Sequence, residues 1–195
     1  MDKLTIANYD KNAKQIAKLH CNLTPVKLYQ LIRYFFSPHE SVIDIGCGIG
    51  RDCYWLQQQG FVVTGIDASQ GMLQQAHQRY PTINFIHDTL PNLIKLRDVE
   101  YVNVLCSAVV MHLNPENLSI AIKNLLRITH NNGVILLSFR GTSAINYRED
   151  GKLYAPITQE QIINLFLKQD ALLLYQSQDR EQGRGHLWHN LVFRK

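Results

Sequence analysis

Short apolar runs rich in β-branched and aromatic residues alternate along this chain with stretches of helical periodicity. The runs fall at 41–45, 61–66, 83–86, 101–106, 134–139, 171–177 and 187–193. Their lengths suit buried strands. Between them the spacing changes. Ala13, Ile16, Ala17 and Leu19 make one apolar stripe within 9–36, and Leu28, Leu31, Ile32 and Phe35 make a second. Pro25 starts that second helix, with Thr24 as its N-cap. A third helix covers 51–59 and stops at Gly60, and a fourth opens at 68–73. Asn114 caps a fifth, started by Pro115 and Glu116, whose apolar positions Leu118, Ile120, Ala121, Leu125, Leu126 and Ile128 recur at helical spacing. Thr158-Gln159-Glu160-Gln161 reads as a capping box for a last helix reaching about Lys168. Asn131-Asn132-Gly133 reads as a turn. The polar stretch 144–156 is longer than a usual connector, and such loops often carry function.

Strand alternating with helix predicts an α/β fold with a doubly wound sheet. The end of the chain departs from that alternation. Its last two strands, joined across Gln182-Gly183-Arg184-Gly185-His186, form an antiparallel hairpin. A chain of 195 residues is expected to make one domain, 1–195, with a full core.

The loop after the first strand carries the first chemical signal. Asp44-Ile45-Gly46-Cys47-Gly48-Ile49-Gly50 places three glycines where the backbone must turn tightly and come close to a ligand. The N–H groups at the start of the next helix favour an anionic group. A dinucleotide fingerprint reads G-x-G-x-x-G. Here the order is Asp-x-Gly-x-Gly-x-Gly, which resembles the first motif of the class I S-adenosylmethionine-dependent methyltransferases. Asp67 ends the second strand at a spacing suited to ribose hydroxyls, and is also a possible N-cap, a role open to Ser69. Asp67-x-Ser69-x-x-Met72, and then Asp88 after the third strand, again look like this family. The resemblance covers nearly the whole chain from Val42 onward.

The resemblance implies a Rossmann-like, seven-stranded sheet with an antiparallel C-terminal hairpin strand. It also implies an N-terminal helical lid, 1–40, over a core at 41–195. It implies S-adenosylmethionine as cofactor and no metal. Asp44 would help hold the cofactor's amino end, directly or through water, beside the loop of Gly46, Cys47, Gly48 and Gly50. Asp67 would accept from the ribose, with Ala68 next to it, and Met72 would pack on the adenine ring. Asp88 would accept from the adenine amino group, with the N–H of Thr89 or Leu90 on a ring nitrogen. Cys106 and Ser107 end the fourth strand, which in that family faces the sulfonium and the acceptor. Tyr9 is either an aromatic contact from the lid or a packing residue. His112 is the best-placed titratable group for a general base, with loop anchoring as its other role. Arg140 joins it as a catalytic candidate. Arg140, Arg180, Arg184 and His186 could form a cationic rim that reads a carboxylate or phosphate, or be solvated loop charges. Arg51 could reach the cofactor carboxylate, and Trp188 and Tyr147 could line the pocket.

Composition narrows the partners. Hydrophobic residues make up 46% of the chain and charged residues 18%, an ordinary globular balance. The net charge of +4 is mild and not gathered in a run, so it allows an acidic substrate without arguing for nucleic acid. Cys21, Cys47, Cys53 and Cys106 form no C-x-x-C pair, and the start lacks the apolar core of a signal peptide. A reduced, cytoplasmic protein is expected, with no membrane span. The Asn/Asp-Pro-Pro-aromatic motif of base-amine methylation, a paired-glutamate loop, a metal-binding carboxylate cluster and H-E-x-x-H are all missing. These absences favour methyl transfer to a small-molecule acceptor, which the basic balance and the cationic rim allow to be anionic. Two other readings stand beside it: a nicotinamide-dependent oxidoreductase, and a non-catalytic cofactor-binding module that presents a surface to a protein partner. The acceptor and the oligomeric state are not encoded legibly.

Overall fold

The sheet is built outward from the first β-branched run. In the computed structural model, which describes residues 1–142, 147–181 and 185–195, β1 (Ser41–Ile45) lies between β2 (Val62–Asp67) and a strand much later in the chain. β3 (Asn84–His87) extends the β2 side. β4 (Tyr101–Ser107) pairs with the free edge of β1, and β5 (Thr129–Arg140) follows it. All five are parallel. A separate two-stranded hairpin, β6 (Tyr147–Glu149) and β7 (Lys152–Tyr154), stands outside the sheet. β8 (Leu172–Arg180) and β9 (Leu187–Arg194) complete it, β9 inserting antiparallel between β5 and β8. The order is β3-β2-β1-β4-β5-β9-β8. The chain winds outward from β1 to β3 and then returns to the far side of β1. That reversal leaves a crevice at the carboxyl ends of β1 and β4, the place where open α/β sheets bind ligands.

Residues two apart on a strand share a face, and both faces of this sheet are covered. Ile43, Ile45, Val104, Ile135 and Leu137 pack on one side with α5 (Leu118–Ile128) and α6 (Gln159–Leu167). Val42, Leu105, Leu136 and Val192 face the other way, onto Leu28 and Ile32 of α2 (Val26–Phe35) and Leu56 of α3 (Arg51–Gln58). α1 (Lys3–His20) lies over α4 (Gln70–Arg79) through Ala13, Ile16, Ala17 and Met72.

The capping box at Thr158 forms with both of its hydrogen bonds. Other local expectations shift. α1 starts at Lys3, ahead of the expected 9, because the Asp2 side chain accepts from Thr5 N–H and caps it. Pro25, not Thr24, occupies the N-cap of α2 and offers no side-chain bond. Asn114 precedes only a short 3-10 turn, Pro115–Asn117, before α5 begins. Asn131-Asn132-Gly133 lies inside β5, where Asn132 takes a φ of 64° and the register against β4 slips. Three extra residues are accommodated there, and Gly133 comes back against Thr129 and His130, so the expected tight turn sits within the strand. The polar connector holds the β6–β7 hairpin, turned by Asp150 and Gly151 at φ 49° and 80°. Both central residues at positive φ are what a tight two-residue hairpin turn requires.

Phe166 of α6 is fully buried, with its ring stacked 3.9 Å from Phe193 of β9. Phe166→Ala should cost about 3–5 kcal/mol. Urea unfolding would read this as a lower midpoint at unchanged slope; a loss below about 1 kcal/mol would contradict this account of the core.

Candidate active site

The glycine loop takes its shape from bonds to the end of β2. Gly46 and Cys47 N–H both donate to Ile66 O at 2.8 Å. Gly48 N–H donates to Asp67 Oδ2 and Ser69 N–H to Asp67 Oδ1, each at 2.8 Å. Gly46 is obligatory here: its φ is +76°, and a Cβ would come within 2.3 Å of Val109 Cγ2. A Cβ at Gly48 would meet only Met72 Cε, at 3.4 Å. These bonds consume most of the N–H groups of the loop. The open ones belong to α3, whose first turn has no side-chain cap.

A cavity of about 990 Å³ opens over this loop, at the upper end of the range for small-molecule sites. It brings together most of the residues singled out by the sequence. Tyr9, Gly46, Cys47, Gly48, Asp67, Ala68, Met72, Asp88, Thr89, Leu90, Ser107, His112 and Arg140 all line it. Trp188, Arg180 and His186 also reach it, whereas Arg184 lies outside the described residues. Asp44, Gly50 and Cys106 stand behind the wall. The Asp44 carboxyl accepts from Cys53 Sγ at 3.4 Å, and burial, followed by the nearby Asp52 charge, pushes its pKa up. It underpins the loop from beneath. Gly50 faces Phe85, which a Cβ would approach to 2.7 Å. Cys106 is fully buried in the core, where burial pushes its thiol up.

Asp67 is half-buried at the cavity wall; its partial desolvation raises its pKa, and the N–H groups of Ser69 and Gly48 pull against that rise. Asp88 is spent differently. Its oxygens accept from Thr89 N–H at 2.7 Å and Lys95 N–H at 2.8 Å. Thr89 N–H is thereby occupied, while Leu90 N–H has no acceptor among the described residues.

His112 ends a short 3-10 turn after β4, and its ring is buried. Its Nδ1 lies 2.5 Å from Leu153 O of β7. A carbonyl oxygen only accepts, so Nδ1 carries the proton and Nε2 presents a lone pair. Tyr9 Oη lies 3.5 Å from that Nε2, and the Tyr9 and Tyr154 rings meet the imidazole edge-on. Arg140 is not free to read an anion. It is ion-paired with Glu149 and lies 4.5 Å over the Tyr154 ring. Arg51 is likewise held by Asp52 at 2.7 Å, and Asp52 also accepts from Tyr29 Oη.

The wall that sequence reading missed is the hairpin. Lys152, Tyr154, Glu149 and Asp150 all reach the cavity from it. The Asp-Gly pair at its turn was the available signal. α1 is clasped to the hairpin through Asp2 to Arg148 and Thr5 Oγ1 to Leu153 N–H, and to α4 through Asp10, which accepts from Ser69 Oγ and Gly71 N–H.

Comparison with known proteins accords with this geometry. Residues 42–133 match the family described as "Methyltransferase domain". A ubiquinone biosynthesis O-methyltransferase of Rickettsia canadensis (strain McKiel) is 33% identical over 131 residues, 62% of this chain and 52% of that protein. A malonyl-[acyl-carrier protein] O-methyltransferase of Serratia marcescens is 29% identical over 130 residues, 67% of this chain and 49% of that protein. The chain thus spans about half the length of the curated relatives it matches. Among solved structures, the Burkholderia thailandensis 1,6-didemethyltoxoflavin-N1-methyltransferase, with 1,6-didemethyltoxoflavin and S-adenosylhomocysteine bound, superposes with a TM-score of 0.80 at 14% identity. That match covers 98% of this chain and 87% of that one. Residues 42–133 thus resemble a methyltransferase domain in sequence, and the chain shares the fold of the Burkholderia thailandensis enzyme. No described helix is long and apolar enough to cross a membrane.

Burial moves the His112 pKa down to about 4, with the Leu153 carbonyl opposing and Lys152 adding to the fall. Since the charged form is the disfavoured one, the ring is neutral at pH 6. Nitrogen NMR of histidine-labelled protein should show a proton on Nδ1 alone at that pH, and a titration midpoint near about 4. A midpoint near the ordinary value of about 6.5 would contradict the buried, carbonyl-bound ring.

Proposed function

We propose that this chain binds S-adenosylmethionine and transfers its methyl group to a small-molecule acceptor, with 1–40 serving as lid over a core at 41–195. The observation that carries the reading is Asp67. Its carboxylate is fixed at the carboxyl end of β2 by one backbone N–H on each oxygen. A carboxylate oxygen accepts more than one hydrogen bond, so each retains capacity for one hydroxyl of a vicinal diol. Half-buried capacity of that kind, facing a cavity, fits a ribose. The open approach at Gly48 fits a close ligand, and buried Met72 supplies a polarizable surface beside it. Leu90 N–H, not that of Thr89, is the donor available to a base nitrogen.

When bound, the cofactor supplies a methyl group on a positively charged sulfur. The chain's own contribution is alignment, from which much of the acceleration of an in-line displacement can come. Ser107 and Ala108 end β4 at the cavity wall, Ala108 with a φ of 59°. His112 Nε2, unprotonated and met by the Tyr9 hydroxyl at 3.5 Å, takes the proton of an acceptor whose O–H or N–H replaces that hydroxyl. A relative named for ubiquinone biosynthesis and a fold neighbour holding 1,6-didemethyltoxoflavin both support an acceptor of small-molecule size. The comparisons favour neither the oxidoreductase nor the non-catalytic module.

Isothermal titration with S-adenosylhomocysteine and with NAD tests the reading. The former should bind and the latter should not; the reverse result would overturn the proposal. Asp67→Ala should weaken S-adenosylhomocysteine binding by about 1.5–3 kcal/mol, the usual loss for hydrogen bonds to a charged group. Undiminished affinity would remove Asp67 from the site.

A further inference from the structure

We propose that Lys152 binds an anionic oxygen of the methyl acceptor and so selects planar hydroxylated organic acids as substrates. The inference deepens the reading above and rests on it.

Strand alternation puts Lys152 and Tyr154 on the hairpin face that looks into the cavity, while Leu153 between them turns its side chain away. The Lys152 ammonium lies 5.6 Å from the centroid of the Tyr9 ring. The hydroxyl of that same ring lies 3.5 Å from His112 Nε2. A cation and a lone-pair acceptor are therefore presented side by side on one wall.

The cation is uncommitted. Its cross-strand neighbour Glu149 is taken by Arg140, and Asp2 is taken by Arg148. Among the described residues no carboxylate lies within 4.0 Å of the Lys152 ammonium. Arg140, the arginine expected to read an anion, is neutralised by its ion pair and laid against Tyr154. Arg180 is exposed near the end of β8. Lys152 is half-buried, and a charge drawn partly out of water gains when a counter-charge completes it. An ammonium is also a compact charge on a flexible stem, suited to meeting a ligand carboxylate from several angles.

The two groups together define the acceptor. His112 Nε2 is an acceptor met by the Tyr9 hydroxyl at 3.5 Å, so a protonated reacting group takes that hydroxyl's place. Lys152 requires an acceptor, so a second, anionic oxygen lies a few ångströms from the first. Tyr9 and Tyr154 set aromatic rings beside the imidazole, at centroid distances of 6.0 and 5.0 Å. A ring bearing one ionisable hydroxyl and one carboxylate satisfies all three.

The test is calorimetry on the full chain saturated with S-adenosylhomocysteine, titrated with matched hydroxybenzoates and hydroxybenzamides. The wild type should bind the benzoates about tenfold or more tightly than the amides, and Lys152→Gln should erase that preference. Lys152→Arg should retain most of it. Affinity for S-adenosylhomocysteine should stay within about twofold in all three proteins, which also reports an intact fold. Equal binding of the two series by the wild type, or a preference that survives Lys152→Gln, overturns the proposal. So does a parallel loss of S-adenosylhomocysteine affinity in Lys152→Gln, because the lysine then serves the cofactor. If the wild type binds no S-adenosylhomocysteine, the methyltransferase reading falls and this inference falls with it. If S-adenosylhomocysteine binds and no benzoate preference exists, this inference alone falls.

Discussion

The two backbone hydrogen bonds to the Asp67 carboxylate organise the cavity. One fixes the glycine loop through Gly48, the other fixes the entry to α4 through Ser69. Both walls of the crevice are thus referred to a single side chain at the end of β2. Burying a carboxylate is costly, and two N–H bonds offset only part of that cost, since its pKa remains raised. A fold that served stability alone would have no reason to retain such a group at a cavity wall. The same geometry continues outward. Ser69 Oγ donates to Asp10 at 2.6 Å, and Asp10 also accepts from Gly71 N–H. Asp10 is the neighbour of Tyr9. The position of Tyr9 over the cavity therefore descends, bond by bond, from the end of β2.

Charge is distributed by the same logic. Three arginines at the cavity and its roof are matched to carboxylates: Arg51 to Asp52, Arg140 to Glu149, Arg148 to Asp2. A planar guanidinium suits such forked pairing and remains charged. The exposed pair from Arg148 adds little stability by itself, because solvent screens it. Its effect is positional, since it draws the start of α1 onto the hairpin. Arg140 is mostly buried, and its pairing with Glu149 and its seat on Tyr154 stiffen the cavity wall. Among the described residues Lys27, Lys152 and Arg180 line the cavity without an ion pair, and of these Lys152 lies beside Tyr9.

The sheet was legible because its signals are local and repeated. β-branched runs at regular intervals leave few alternatives to a doubly wound sheet, and each acidic residue of interest closes a successive strand. The Thr158 capping box was legible for the same reason, as all its atoms lie within one turn. The hairpin was not. Strands of three residues are too short for alternation to show, and the Asp150-Gly151 pair sits in a stretch that otherwise reads as loop. Nor could sequence assign Arg140. Its partner is only nine positions away, but the pairing exists only because the hairpin folds back over β5. Asp44 shows the opposite limit. The motif fixes its place in the chain, whereas its orientation, down toward Cys53 and away from the cavity, depends on packing under α3.

The roof of the cavity is where local and distant structure meet. Asp2, Thr5 and Asn8 recur at a spacing of three along α1, so they share one helix face. Each meets the hairpin: Asp2 the Arg148 side chain, Thr5 the Leu153 N–H, Asn8 the Asp150 carbonyl. The carbonyl of that same Leu153 holds His112 in its tautomer. One residue of β7 therefore donates its N–H to α1 and orients the imidazole with its C=O. Displacing α1 would disturb the hairpin, and displacing the hairpin would release the proton position on His112. The tautomer that leaves Nε2 unprotonated thus depends on α1, the hairpin and the turn at His112 staying packed together.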